Sequence, residues 1–112
     1  MSASQRRKGN GYERDLVAWL RDHGRPHIER RLAGGPGDRG DLTGWPGVVV
    51  EAKNHRQLDL AGWVDQLEVE IEAANAMTGV VVVKRRLVTD VGKHYAICTV
   101  ERWEALMKAA GW

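Results

Sequence analysis

What the chain lacks excludes several classes of protein. Cys98 is the only cysteine, which excludes an intrachain disulfide and a zinc cluster built from cysteines. No apolar run approaches the ~20 residues that a membrane-spanning helix requires. The polar stretch from Ser2 to Lys8 does not have the pattern of a signal peptide. These absences predict an intracellular, cytoplasmic protein that does not associate with a membrane.

The motifs of several enzyme mechanisms are missing as well. The four histidines are scattered along the chain and form no zinc-binding motif. No serine or cysteine stands in a nucleophile motif, so acyl-transfer chemistry has no support. The glycine-rich stretch 33–40 is not followed by Gly-Lys-Ser/Thr, so it is not a phosphate-binding P-loop. Its glycines are better suited to letting a nucleic-acid backbone approach closely.

Length and charge indicate the general type of protein. A chain of 112 residues with 43% hydrophobic content can form one compact domain with a modest core. Residues 1–56 carry 11 Lys/Arg and 7 Asp/Glu, whereas residues 57–112 carry 6 and 8. This asymmetry favours a basic face for nucleic acid, and the alternative is ordinary surface charge.

The spacing of apolar residues predicts an α/β fold. Residues 1–8 are expected to be a basic flexible tail, and Val80–Val83 to be a buried central strand. The expected order is α-β-β-β-α-β-β-α, with a mixed central sheet flanked by helices. The elements are a helix at about 9–23, a strand near 27–32, a hairpin over 41–53, a helix at about 59–77, strands at 80–83 and 94–100, and a last helix capped by Thr99.

The hairpin contains the residues that indicate function. A turn at Trp45–Gly47 and a β-branched strand from Val48 predict that Asp41 lies directly across from Glu51. Because strand side chains alternate between faces, Glu51 and Lys53 point the same way. Two adjacent carboxylates repel each other, and a hard divalent ion such as Mg²⁺ removes that cost. The pattern therefore points to metal-assisted phosphodiester hydrolysis, and the alternative is a solvated surface hairpin.

Asp41 followed by Glu51-Ala52-Lys53 resembles the active-site motif of the PD-(D/E)XK nuclease superfamily, although Gly40 stands where proline is usual. The resemblance implies a restriction-endonuclease-like fold in a single nuclease domain over residues 9–112. It also implies that Asp41, Glu51 and the Ala52 carbonyl bind Mg²⁺, for which Mn²⁺ would substitute. Lys53 would position or deprotonate the attacking water and stabilise charge on the phosphate.

Two helix residues are further candidates. Glu13 falls on the apolar stripe formed by Leu16, Val17 and Leu20, where a carboxylate needs a partner or a metal. The resemblance implies that Glu13 joins the metal site, and the alternative is pairing with Arg or Lys at the edge of the stripe. Gln66 borders the stripe of the second helix, and by the same resemblance it would lie near the phosphate. The alternative is a solvated Gln66.

The order of motifs is most similar to that of archaeal-type Holliday-junction resolvases. It consists of a helix glutamate, a glycine-rich loop, an aspartate and then Glu-x-Lys. That similarity implies a Mg²⁺-dependent homodimer that cuts four-way DNA junctions. One departure is that residues 33–40 contain no serine, which such loops often use in cleavage. The alternatives are another nuclease of this superfamily, acting in repair, replication or restriction, and a catalytically silent DNA-binding module.

The interaction surfaces follow from the same hypothesis. The dimer contact is expected on the last strand and helix, with Ile97, Trp103, Leu106, Met107 and Trp112. The residues expected to contact DNA or its phosphates are mostly basic side chains: Arg6, Arg7, Lys8, Arg30, Arg31, Arg39, Arg56, Gln66, Lys84, Arg85 and Arg86.

Overall fold

The computed structural model describes residues 3–31 and 40–112, with side chains for residues 11–31 and 40–112. Its element order is the predicted α-β-β-β-α-β-β-α, which makes the protein mixed α/β. The elements are α1 (Ala3–Asp22), β1 (Glu29–Arg30), β2 (Leu42–Thr43), β3 (Val48–Lys53), α2 (Leu60–Ala73), β4 (Thr78–Val83), a 3₁₀ turn (Val91–Lys93), β5 (Tyr95–Ile97) and α3 (Val100–Ala109).

Three strands form the main sheet in the order β3-β4-β5. β3 runs parallel to β4, with Val48 opposite Thr78 and Lys53 opposite Val83, and β5 is antiparallel to β4. The sheet is therefore mixed, and β4 is its middle strand, as the valine run predicted. β1 and β2 form a separate antiparallel pair.

Hydrophobic side chains cover both faces of the main sheet. On one face Val49 of β3 packs in a buried cluster with Trp63 and Leu67 of α2. On the other face Val50 packs with Leu16 of α1 in a second cluster. Burying each such side chain is worth about 1.5–3 kcal/mol. Since side chains alternate along β3, its odd-numbered residues, including Glu51 and Lys53, face α2. The prediction that Glu51 and Lys53 share one face of the strand is confirmed.

The helix boundaries differ from the predicted ones at two points. α1 begins at Ala3 and not near Gly9, so residues 3–8 belong to the helix and not to a separate tail. An internal glycine costs a helix only about 1 kcal/mol, which does not end it. α2 ends at Ala73 and not near Met77, because Asn75 adopts a left-handed φ of 50°. The Ala76 N–H then bonds to the Ile71 carbonyl at 2.9 Å, which closes the helix end.

α3 is attached to the fold mainly through polar contacts. The Thr99 side chain caps its first turn as predicted, accepting the Arg102 N–H at 3.2 Å. Arg102 also forms an ion pair with Glu68 of α2. No residue of α3 is buried, and Trp103 is 57% exposed. Within the described residues, none of the helices combines the length and apolar character needed to cross a membrane.

Candidate active site

Asp41 reaches the edge of β3 through backbone pairing that differs from the predicted hairpin. Its N–H donates to the Val50 carbonyl at 2.9 Å, and its Oδ2 accepts the Ala52 N–H at 2.7 Å. The prediction that Asp41 lies in a strand ladder directly across from Glu51 is therefore wrong. The reason is that Leu42–Thr43 pairs with β1 instead of β3. Asp41 nevertheless lies beside Glu51, because the two residues to which Asp41 bonds, Val50 and Ala52, are the chain neighbours of Glu51.

Gly40 explains why the usual proline of the motif is absent. Its φ is +93°, and an added Cβ would lie 2.8 Å from Cγ1 of Val49 and 3.0 Å from the Val50 carbonyl oxygen. Proline holds φ near −65° and cannot adopt this conformation. The Gly40 carbonyl also accepts a hydrogen bond from Arg31 Nε at 3.2 Å. This chain thus approaches β3 along a path that only glycine permits.

Glu51 is the centre of the site. It is 4% exposed, and the carboxyl groups of Glu70 and Asp41 lie close enough to interact with its own. Burial, followed by the hydrogen bond with Glu70 and the charge of Asp41, raises the pKa of Glu51 to about 10. Lys53 Nζ lies 4.0 Å from Glu51 Oε2, at the outer limit of an ion pair, and does not offset these effects. Without a cation, the cluster therefore retains a proton at neutral pH.

Glu70 is a site residue that the sequence interpretation missed. It lies on α2, is fully buried, and reaches Glu51 from the face of the sheet that α2 covers. A signal was present, because Glu70 stands three residues after Leu67 and so falls on the apolar stripe of this helix. Gln66 Nε2 donates to Glu70 Oε1 at 3.1 Å. Gln66 is exposed, as the alternative of a solvated side chain predicted, and this hydrogen bond also links it to Glu70.

Glu13 approaches the same site from α1. Its Oε1 lies 3.9 Å from Arg30 Nε, and its side chain is 14% exposed. Burial and then the negative charge of Asp41 raise the pKa of Glu13, whereas Arg30 and Arg14 lower it. The alternative that Glu13 pairs with an arginine is therefore confirmed, whereas its place beside a metal ion stays a prediction.

The basic residues predicted to contact DNA fall into three groups. Arg30 and Arg31 support the site, the first beside Glu13 and the second through the Gly40 carbonyl. Arg39 lies outside the described residues, as do the side chains of Arg6, Arg7 and Lys8. The remaining cations are exposed and line one groove beside the site: Arg56, Lys84, Arg85 and Arg86.

The donor set fits a hard divalent cation. Within residues 11–31 and 40–112, no three His, Cys, Asp or Glu side chains stand in a ready-made metal cage. Instead, the carboxyl groups of Asp41 and Glu70 each interact with the carboxyl group of Glu51. Mg²⁺ prefers such oxygen ligands, and its two positive charges would replace the retained proton. The carboxyl groups are thus chemically suited to Mg²⁺ or Mn²⁺.

The raised pKa of Glu51 predicts a stability that falls with pH. Between its ordinary value of 4.5 and about 10, the folded state holds a proton that the unfolded state has released. The free energy of unfolding therefore falls as pH rises, by up to about 1.4 kcal/mol per pH unit. We expect Glu51→Gln, which cannot ionise, to be more stable than the wild type by about 2 kcal/mol or more at pH 8 in EDTA.

Urea unfolding at pH 5, 6.5 and 8 measures this difference. The gap between the variant and the wild type should widen with pH and narrow when Mg²⁺ is added. A constant gap across the three pH values would show that Glu51 is ionised in the folded protein.

The site thus combines a buried carboxyl cluster with one lysine. Such a combination can bind a hard metal and stabilise negative charge on a phosphate. Comparison of the chain with protein-family models, curated proteins and solved structures found no match. Its function is therefore inferred from the chemistry of these side chains and from the resemblance of their motif.

Proposed function

We propose that this protein is a metal-dependent endodeoxyribonuclease of the PD-(D/E)XK type with a restriction-endonuclease-like fold. One observation supports this most directly. The carboxyl groups of Asp41 and Glu70 interact with that of the buried Glu51 from different parts of the chain, and Lys53 Nζ stands 4.0 Å from Glu51 Oε2. Burying these carboxyl groups away from water costs free energy, and apolar side chains at the same positions would avoid that cost. A cluster of this kind is useful when it binds a cation.

Asp41, Glu51 and the Ala52 carbonyl would hold Mg²⁺, with Glu70 and Glu13 beside it directly or through water. When bound, the ion supplies an activated water and neutralises charge on the phosphate. The hydrogen bond from the Ala52 N–H fixes the Asp41 carboxylate before any ligand arrives. A metal-binding carboxylate that is already held in place needs less rearrangement when the ion binds.

Lys53 carries the remaining catalytic role. Its side chain is 16% exposed, which places the ammonium group between the buried cluster and solvent. From there it would orient or deprotonate the attacking water and donate to the phosphate oxygens as negative charge develops. An ammonium group held near a carboxylate is already ordered, so little side-chain entropy is lost during reaction.

Four-way DNA junctions are the proposed substrate, by the similarity to archaeal-type resolvases. Resolving a junction requires two cuts related by two-fold symmetry, so we propose a C₂ homodimer. Trp103, Leu106 and Trp112 are exposed and would supply apolar contact surface, with the half-buried Met107 beside Leu106 in the helix. Ile97 packs instead against the cluster that contains Val49 and lines the groove. A silent DNA-binding module is less well supported, since binding alone does not require a buried carboxyl cluster.

A cleavage assay with Mg²⁺ on four-way junction, flap, single-stranded and linear duplex DNA tests the proposal. We expect paired nicks confined to the junction, and sedimentation at about twice the monomer mass of 12.5 kDa. A monomer that cuts only flaps or duplex would indicate another nuclease of the superfamily. Binding without cleavage of any substrate, in Mg²⁺ and in Mn²⁺, would indicate the silent module.

A further inference from the structure

A groove of about 820 Å³ opens beside the proposed active site. It lies where β3 and β4 end, and the Lys84 N–H donates to the Lys53 carbonyl at 2.9 Å. The groove therefore begins next to the catalytic lysine along the backbone. Its volume falls within the range of pockets that hold small molecules, about 300–1,000 Å³.

The lining of this groove has a charge opposite to that of the carboxyl cluster. Arg56, Lys84, Arg85 and Arg86 line it, and all four are exposed. No Asp or Glu stands among the described residues that line it. Its other residues are mostly apolar, including Leu58, Leu60, Val83 and Ile97. Cations around an apolar surface complement a ligand that is both anionic and apolar.

Aromatic side chains in the groove further restrict the class of ligand that it would bind. Tyr95 is 50% exposed, and the Arg85 guanidinium carbon lies 5.9 Å from the centroid of its ring. The His55 ring also lines the groove and lies 5.2 Å from the ring of Trp63 in α2. Exposed rings beside arginines are the means by which proteins stack unpaired bases while they neutralise the phosphates.

We propose that this groove binds an unpaired nucleotide of the DNA strand, with its base against Tyr95 and the apolar floor. Arg56, Lys84 and Arg86 would contact the neighbouring phosphates. A base within an intact duplex cannot reach this floor, because its faces are covered by stacking and its edge by pairing. The choice of DNA rests on the proposed nuclease function. At a four-way junction this nucleotide would be one opened at the branch point, so the groove favours DNA in which an unpaired nucleotide adjoins the cleaved phosphodiester.

Binding in EDTA tests this without cleavage. The probes are a 20-base-pair duplex with 2-aminopurine in a three-nucleotide bulge and the same duplex fully paired. We expect the wild type to bind the bulged probe about tenfold more tightly and to change its 2-aminopurine fluorescence on stacking. Tyr95→Leu should lose that preference, whereas Tyr95→Phe, which keeps the ring, should retain it. Thermal unfolding of both variants controls for folding.

The outcomes separate this inference from the nuclease proposal. Equal affinity for the two probes, or a preference that survives Tyr95→Leu in a folded protein, would overturn the groove assignment even if Mg²⁺ supports cleavage. A Tyr95-dependent preference in a protein that cleaves no DNA would support the groove and contradict the nuclease function.

Discussion

We expect Asp41→Asn and Glu51→Gln each to reduce DNA cleavage by about three orders of magnitude or more, while DNA binding stays intact or becomes tighter. Both side chains belong to the cluster that would hold Mg²⁺, and losing the several kcal/mol that a divalent ion supplies has an effect of this size. Binding is spared because Asp41→Asn removes a negative charge that repels phosphate, and Glu51→Gln removes one when Glu51 is ionised in the metal-loaded site.

Three measurements on each variant check this expectation: the single-turnover cleavage rate, the affinity for uncleaved DNA, and calorimetric titration with Mn²⁺. Asp22→Asn is a matched control, since it makes the same chemical change at an exposed position on α1. Glu70→Gln should also weaken metal binding, because the Glu70 carboxyl group interacts with that of Glu51 from α2. Cleavage by either Asp41→Asn or Glu51→Gln at close to the wild-type rate would place the metal site elsewhere.

Lys53→Ala should reduce the cleavage rate by about two to three orders of magnitude, the usual result of losing one electrostatic contact in the transition state. Its effect on metal affinity should be small, because an ammonium group is not a metal ligand. The loss should therefore appear in turnover at saturating Mg²⁺. Lys84→Ala is the comparison, because Lys84 adjoins Lys53 through the backbone but is exposed in the groove.

Lys84→Ala should weaken DNA binding without changing turnover on bound DNA. If Lys53→Ala instead abolishes Mn²⁺ binding and leaves saturated turnover unchanged, Lys53 has a structural role in the carboxyl cluster. Comparing the two lysines thus separates a chemical contribution from a general contribution of positive charge.

The carboxyl cluster occupies part of the core at a cost in stability. Glu51 and Glu70 occupy positions where an apolar side chain would stabilise the protein, since they lie on the same side of β3 as Trp63 and Leu67. Burying carboxyl groups there lowers stability, and the raised pKa of Glu51 reflects that cost. Sites where local stability is sacrificed in this way are frequently functional.

The sequence by itself determined the order of elements and the central motif. Helical spacing of Leu16, Val17 and Leu20 and the valines before Glu51 predicted the helices and strands correctly, because periodicity reflects which face is buried. The alternation of side chains along one strand was enough to place Glu51 and Lys53 on one face. The position of Glu13 on an apolar stripe also marked it as a candidate residue of the site.

Only the tertiary structure decided which elements meet. Leu42–Thr43 pairs with β1 and not with β3, and that choice depends on a competition between distant segments for the same backbone groups. Glu70 joins the site because α2 packs on the face that bears Glu51, although 19 positions separate the two residues. The groove near Lys53 likewise forms from β4, β5 and the segment after β3. Local patterns specify a face, whereas contacts between faces depend on how the whole chain packs.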